Sequence, residues 1–389
     1  MLSQAMLRNI TKTRLKNYLQ PKEIPNLNRR THAHFVSDYS GILEVFREEI
    51  AIGKKLNEND VDNFIYNELF YENCNYYYIY KLDKIKIDLN LAEPNMIQYL
   101  TTIGFNINQL ITQGNVASDY DLCTTRLNFK DSKLSRINCL LKVSSVDSEY
   151  RGETDFYCGI ILDLTNKLLI LKFNLNLLES HPKEKLAILT DIRKIITNSK
   201  PFNQLNLKYS SYNEHTIRKI IFKMFKNLSL DAETILNQRI PTDATQKIKK
   251  FLQDMKVAEV SENYINQTKA VVYQDISKTF QDSLFTNGWV FRFVFREGDS
   301  TRASSRTDDF SPIYSKQVYW HLKELVFKSG ELQEAGFHWY LNPAKKEGII
   351  LIRLEQKNDA LAFQFYQNTD LNRVVKEDYV INEITKQLQ

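Results

Sequence analysis

The chain has 389 residues, of which 43% are hydrophobic and 25% charged, so it is long enough to bury a large core and to form two or three domains. Its formal net charge is +5, but four of the 52 basic residues precede Tyr18, and without them the basic side chains exceed the 47 acidic ones by only one. This near-neutral remainder excludes phosphate binding through overall charge, so a contact with nucleic acid must depend on a local basic surface.

The first residues form a basic amphipathic segment, with no acidic side chain before Glu23. The apolar residues on one helical face are Leu2, Met6, Leu7 and Ile10, and the basic residues before Tyr18 are Arg8, Lys12, Arg14 and Lys16. This pattern is typical of a mitochondrial transit peptide, and its basic residues interrupt every apolar run that a secretory signal requires. We therefore expect residues 1–30 to be a transit peptide and linker, and the mature protein to reside in the mitochondrial matrix. The alternative is an ordinary amphipathic helix in a bacterial or viral protein.

The next part of the chain combines helical and strand patterns. Apolar residues recur at three- and four-residue steps over 39–52 and 58–70, which predicts two helices. Alternation of lysine and isoleucine over 84–89 predicts a strand. Residues 121–178 have the pattern of a four-stranded meander, and the alternation in its last strand predicts one solvent-facing side that carries Lys172.

The middle of the chain is predicted to be helical, with breaks at Pro201 and Pro241. Apolar residues between positions 216 and 228 form a stripe that is wide enough to be core. Asp231 and Thr242 are suitable caps for two further helices, so residues 213–255 are predicted to form a three-helix unit.

The last part of the chain returns to strand patterns. A strand is predicted at 289–295, a helix at 315–327, three strands at 337–341, 349–354 and 361–366, and a closing helix from Asp370.

These elements predict an α+β protein: an antiparallel sheet with flanking helices, a helical middle region and a smaller strand-rich C-terminal module. The predicted domains after the leader are an α+β domain with the antiparallel meander (31–200), a helical region (201–285) and an α+β C-terminal module (286–389).

Several kinds of site are not predicted. The cysteines lack the paired spacing of a zinc ribbon or a secreted disulfide framework, and they are Cys74, Cys123, Cys139 and Cys158. No glycine-rich phosphate loop and no catalytic motif occurs, and the lone histidines are more often structural than metal ligands. No apolar run approaches eighteen residues. We therefore predict no catalytic residue, no metal or other cofactor, no small-molecule substrate and no membrane span.

The segment 183–226 has the strongest charge asymmetry outside the leader, with ten basic residues against three acidic ones. Basic side chains can contact phosphates, and nearby tyrosine rings can stack on bases. The predicted nucleic-acid-binding residues are Lys194, Lys208, Tyr209, Tyr212, Arg218, Lys219, Lys223 and Lys226. The alternative is a solvated basic face of a helix bundle.

Two further hypotheses concern nucleic acids. If residues 213–255 were a helix-turn-helix, the helix after Pro241 would enter the major groove with Lys247, Lys249 and Lys250. Glu355 and Lys357 have the E-x-K spacing of a metal-dependent nuclease, in which the carboxylate holds a divalent cation, but no second carboxylate is evident in the preceding hairpin.

Because no catalytic set is evident and one basic, tyrosine-flanked segment stands out, the sequence favours a non-catalytic factor or accessory subunit of a large mitochondrial assembly, associated with the ribosome or mRNA. The expected partners are protein subunits of that assembly and RNA. The alternatives are an accessory subunit of a respiratory complex, for which the basic face is solvated, and a nucleic-acid-binding protein or metal-dependent nuclease of bacterial or viral origin.

Overall fold

The structure, a computed structural model, describes residues 2–113, 118–148, 151–280, 285–297, 301–366 and 372–388. About 46% of the chain is helical and about 26% lies in strands that form antiparallel sheets flanked by helices, so the predicted α+β class is confirmed. The chain forms two compact units, Met1–Ser211 with Gln367–Val374 and Tyr212–Tyr366 with Val375–Gln389. Most of the predicted helical region and C-terminal module therefore fall in one compact unit.

The first unit contains nine helices and six strands within its described residues. The helices are α1 (Gln4–Leu7), α2 (Lys12–Leu19), α3 (Leu27–Arg30), α4 (Ser40–Ile52), α5 (Glu58–Asn67), α6 (Glu93–Thr102), α7 (Leu175–Ser180), α8 (Lys185–Asn198) and α9 (Lys200–Gln204). The strands are β1 (Tyr76–Lys84), β2 (Leu122–Lys130), β3 (Lys133–Ser148), β4 (Gly152–Asp163), β5 (Leu168–Phe173) and β6 (Lys208–Ser210). A short π-helical turn, Glu68–Glu72, continues α5.

The sheet of the first unit has the strand order β2-β3-β4-β5-β1, and β6 pairs with the end of β1. The predicted solvent-facing side is wrong for the inner strands, because all six residues of β5 and most of β4 are buried. Lys172 has 0% exposure, and its ammonium lies 3.8 Å from the ring centre of Phe70 and 4.1 Å from that of Tyr71. The aromatic side chains that follow α5 thus cover the face that alternation had assigned to solvent.

The strand predicted for 84–89 is also wrong. The strand in this region, β1, ends at Lys84 and consists mainly of the aromatic run 76–80, which is buried on both faces. Ile85 and Ile87 lie outside any strand and are half-buried. The strand thus forms from the continuous apolar run 76–80 and not from the short alternating pattern that follows it. A continuous apolar run is typical of a strand whose sheet is covered on both faces.

The N-terminal segment packs into the first unit as two short helices. The Thr11 side chain accepts a hydrogen bond from the backbone N–H of Arg14 and so caps α2, which separates this helix from α1. Leu7, Leu15 and Leu19 have 0% exposure. The guanidinium of Arg14 pairs with the carboxylate of Glu68, which is only 2% exposed. These residues contribute to the core and to a partly buried ion pair.

The second unit contains five helices and five strands within its described residues. The helices are α10 (Glu214–Asn237), α11 (Ala244–Asp254), α12 (Glu262–Phe280), α13 (Gln317–Ser329) and α14 (Arg373–Leu388), of which α14 belongs to this unit from Val375 onward. The strands are β7 (Gly288–Glu297), β8 (Thr301–Arg306), β9 (Glu334–Asn342), β10 (Glu347–Lys357) and β11 (Ala360–Phe365). Their order is β11-β10-β9-β7-β8.

The three-helix unit predicted for 213–255 is wrong, because α10 continues through Asp231 to Asn237 and only α11 follows. Asp231 is an exposed residue inside α10 rather than a cap. No proline or glycine interrupts the chain between Leu228 and Asn237, so the apolar stripe continues with Ala232 and Leu236. The helix-turn-helix hypothesis required three short helices within 213–255, and the structure has only α10 and α11 there.

Candidate functional site

Helix α10 carries most of the predicted basic residues, and Asn213 fixes its start. The Asn213 side chain accepts a hydrogen bond from the backbone N–H of His215 at 2.8 Å, which satisfies one donor of the first turn. Ile217, Ile221 and Phe225 have 0% exposure and anchor the helix in the core of the second unit. The opposite face of α10 is therefore held toward solvent.

Lys219, Lys223 and Lys226 form one row on that face, which we call the lysine row. Steps of four and three residues place them within about 60° around the helix and about 10 Å along its axis. All three are exposed, and none forms an ion pair within the described residues. Because phosphates follow one another at about 3.4 Å per strand along a B-form duplex axis, the row covers a distance of roughly three phosphates.

Arg218 is placed differently from the lysine row. Its guanidinium donates to Glu214 at 3.0 Å and to Gln356 at 3.3 Å, and its backbone carbonyl accepts from the N–H of Leu332 at 3.2 Å. The side chain is half-buried and ties α10 to the end of β10. Tyr212 is half-buried and directly precedes the cap of α10.

The other predicted nucleic-acid-binding residues belong to the first unit. Lys194 lies on α8, is 66% exposed and has Asp191 within 3.6 Å. Lys208 is exposed on β6. Tyr209 is half-buried, with its hydroxyl donating to the carbonyl of Arg193 at 3.4 Å and its ring 6.0 Å from that of Tyr80. The ring of Tyr209 is thus already packed within the first unit.

The E-x-K residues lie at the end of β10, where the register supplies the second carboxylate that the sequence did not reveal. Glu334 of β9 stands directly opposite Glu355. Both carboxylates pair with arginines, Glu334 with Arg292 and Glu355 with Arg353, the latter at 3.2 Å. Burial raises the pKa of Glu334, and the two arginines counteract that rise. A divalent cation would have to compete with two guanidinium groups at this position.

A cavity of about 400 Å³ lies in the first unit and includes Ser3 and Met6 in its wall. Lys142 and Asp155 also line it, and the ammonium of Lys142 pairs with the Asp155 carboxylate at 2.9 Å; both side chains are 7% exposed. The Asp155 carboxylate also accepts from the hydroxyl of Ser145 at 3.0 Å. The charges of Lys142 and Asp155 therefore compensate each other within the cavity wall.

The cavity wall also contains Cys123, whose thiol is a weak nucleophile because burial raises its pKa to about 12. Little in the sequence points to this region, since the only mark of the pair is that Lys142 interrupts the apolar run of β3 and Asp155 precedes that of β4. That interruption is the one signal by which a buried ion pair is detectable from sequence.

Within the described ranges, no group of three or more His, Cys, Asp or Glu side chains is arranged to hold a metal ion. No helix in the same ranges is long and apolar enough to cross a membrane. A scan against protein-family models gave no match for this chain, and a search of curated proteins gave none either.

Proposed function

We propose that the protein is a non-catalytic factor or accessory subunit of a large mitochondrial assembly, in the ribosome- or mRNA-handling machinery, and that it contacts RNA phosphates through the lysine row. The observation that carries the proposal is the geometry of Lys219, Lys223 and Lys226. They are exposed, aligned and without an ion pair among the described residues, on a helix whose other face is fixed by the core.

The lysine row favours phosphate contact over sequence reading. Lysine ammonium groups bind phosphates as point charges and do not distinguish bases at this spacing. Arg218, which could make a bidentate contact, already bonds to Glu214 and Gln356. The proposed role is therefore local attachment to an RNA surface while other surfaces of the protein contact protein subunits.

The first experiment measures binding of the full chain to single-stranded RNA as salt is raised. Three phosphate contacts give a slope of about −2 in log K against log salt, so affinity falls about twentyfold between 50 and 200 mM. Changing Lys219, Lys223 and Lys226 together to glutamine should weaken binding and remove most of that slope. The matched control changes three exposed lysines elsewhere in the second unit, Lys328, Lys345 and Lys346, to glutamine.

The proposal fails if the lysine-row variant and the control bind RNA and co-sediment with ribosomes equally well. Co-purification with a respiratory complex and no RNA binding would establish the accessory-subunit alternative. Magnesium-dependent cleavage that Glu355→Gln abolishes would establish the nuclease. The matrix location rests on the composition of residues 1–30, and a reporter fused to them that stays in the cytosol would contradict it.

A further inference from the structure

The hairpin of β7 and β8 places four arginines on one face of the sheet of the second unit. The residues that stand opposite each other are Arg292 with Arg306 and Arg296 with Arg302. Alternation along each strand keeps both pairs on the same side of the sheet, where like charges directly opposite each other are destabilising. Arg292 is compensated by its ion pair with Glu334. The other three arginines are exposed, and none of them forms an ion pair within the described residues.

Strand β8 is also the last strand of this sheet, and one row of its backbone groups faces the open edge. The N–H of Gln333, just before β9, donates to the carbonyl of Val294 at 3.0 Å, so the even-numbered residues of β7 direct their backbone groups toward β9. In an antiparallel pair the odd-numbered residues of β8 then bond to β7, and the even-numbered ones point outward. The outward row consists of Arg302, Ser304 and Arg306, which are all exposed and which no other described strand pairs.

We propose that the edge of β8 binds an extended acidic segment of a partner protein, which adds a strand to this sheet. The backbone of that segment pairs with the outward N–H and C=O groups of Arg302, Ser304 and Arg306. Its acidic side chains, four residues apart, lie opposite the two arginines, which are separated by about 13 Å along the strand. In strand addition the main-chain hydrogen bonds supply affinity and the alternate side chains supply specificity, so this edge selects carboxylates.

The edge itself distinguishes this partner from others. A peptide strand presents donors and acceptors in alternation and satisfies both kinds of edge group, whereas RNA phosphates only accept and leave the outward carbonyls unpaired. A second copy of the chain is disfavoured by charge, because antiparallel pairing of two β8 strands about Ser304 sets Arg302 of one opposite Arg306 of the other. An acidic strand compensates both arginines, and each guanidinium can hold a carboxylate through two parallel N–H bonds.

The test is fluorescence anisotropy of a labelled peptide, Thr-Glu-Val-Thr-Val-Glu-Val-Thr, titrated with the full chain. We expect saturable binding that weakens as salt rises, and no binding of the same peptide with lysines in place of its glutamates. Changing Arg302 and Arg306 together to glutamine should reduce the affinity about tenfold, because two cross-strand pairs of opposite charge are lost. The matched control changes two exposed lysines of the same unit, Lys345 and Lys346, to glutamine and should leave peptide binding unchanged.

A second variant tests the main-chain contact separately from charge. Ser304→Pro removes one outward N–H, and proline is tolerated at such a position of an edge strand because no hydrogen bond within the sheet is lost. This variant should keep the wild-type Tm and bind the glutamate peptide about fivefold more weakly.

The proposal is overturned if the wild-type chain does not bind the glutamate peptide, or if the variant of Arg302 and Arg306 binds it as tightly as the wild type does. Equal binding of the lysine peptide overturns it as well. If that arginine variant loses affinity for single-stranded RNA while the glutamate peptide does not bind the wild type, the edge contacts nucleic acid instead. The inference does not depend on the lysine row, which these variants leave intact, so its failure and that of the RNA proposal are distinguishable.

Discussion

The ion pair between Arg14 and Glu68 makes the N-terminal segment directly testable as part of the fold. Arg14 lies on α2, 23% exposed, and its guanidinium donates to Glu68 through Nε at 2.9 Å and through a second nitrogen. Burial raises the pKa of Glu68 to about 7, and Arg14 opposes that rise. Changing Arg14 to glutamine removes the cation and leaves the carboxyl group buried.

The cost of this change depends on pH in a defined direction. The pKa of Glu68 is higher in the folded chain than its usual 4.5, so its protonation stabilises the fold below about 4.5, and this contribution is lost as the pH rises through about 7. Without Arg14 the pKa rises further, and each added unit costs about 1.4 kcal/mol at a pH above it. We expect Arg14→Gln to lower the free energy of unfolding by about 2 kcal/mol at pH 8 and by less than about 1 kcal/mol at pH 5, where Glu68 is protonated in both chains.

Urea unfolding of the full chain at both pH values measures this difference. The matched control is Lys16→Gln, which removes one positive charge from the same N-terminal segment. Lys16 has no ion-pair partner among the described residues, so this change should cost less than about 0.5 kcal/mol. Both variants lose one positive charge, but only Arg14→Gln loses a contact with a buried carboxyl group. Equal stability of Arg14→Gln and Lys16→Gln at pH 8 would refute the reasoning.

Two other buried groups give predictions of the same kind. Burial lowers the pKa of His338 to about 4, so the fold holds the neutral ring and loses stability as the pH falls below about 6.5. Between pH 7.5 and 5 the free energy of unfolding of the wild type should fall by about 2 kcal/mol more than that of His338→Phe, as measured by urea unfolding. The same pH dependence in both chains would contradict this. Lys142→Met should lower the free energy of unfolding by about 3–5 kcal/mol because it leaves the Asp155 carboxylate buried without its cation. Adding Asp155→Leu should recover most of that loss, and failure to recover it would count against a buried ion pair.

The helices and strands with strong patterns were predictable because a single physical rule decided each of them. The stripe of α10 follows from burying one face of the helix. The same rule failed where a second layer covers the other face. Lys172 alternates with apolar neighbours, but Phe70 and Tyr71 come from a distant part of the chain to enclose it.

For the candidate site, the sequence predicted which residues lie on one helical face but not which of them contact distant parts of the chain. Sequence spacing placed Lys219, Lys223 and Lys226 on one helical face, and their exposure agrees with that placement. It did not indicate that Arg218 is engaged with Gln356, because that contact joins residues far apart in the chain. The cross-strand pairing of Glu334 and Glu355 was invisible for the same reason, since register is set by the whole sheet.

Composition alone is a weak guide to what a basic residue does, and four basic side chains of this protein illustrate why. Lys172 is enclosed by aromatic rings, Arg14 neutralises a buried carboxylate, Arg218 ties a helix to a strand, and Lys223 is exposed without an ion pair among the described residues. All four carry the same charge, but the first three are compensated by neighbours that a partner would have to displace. Because an exposed, uncompensated charge loses only water when it meets a phosphate, the lysine row is the set on which RNA attachment is best tested.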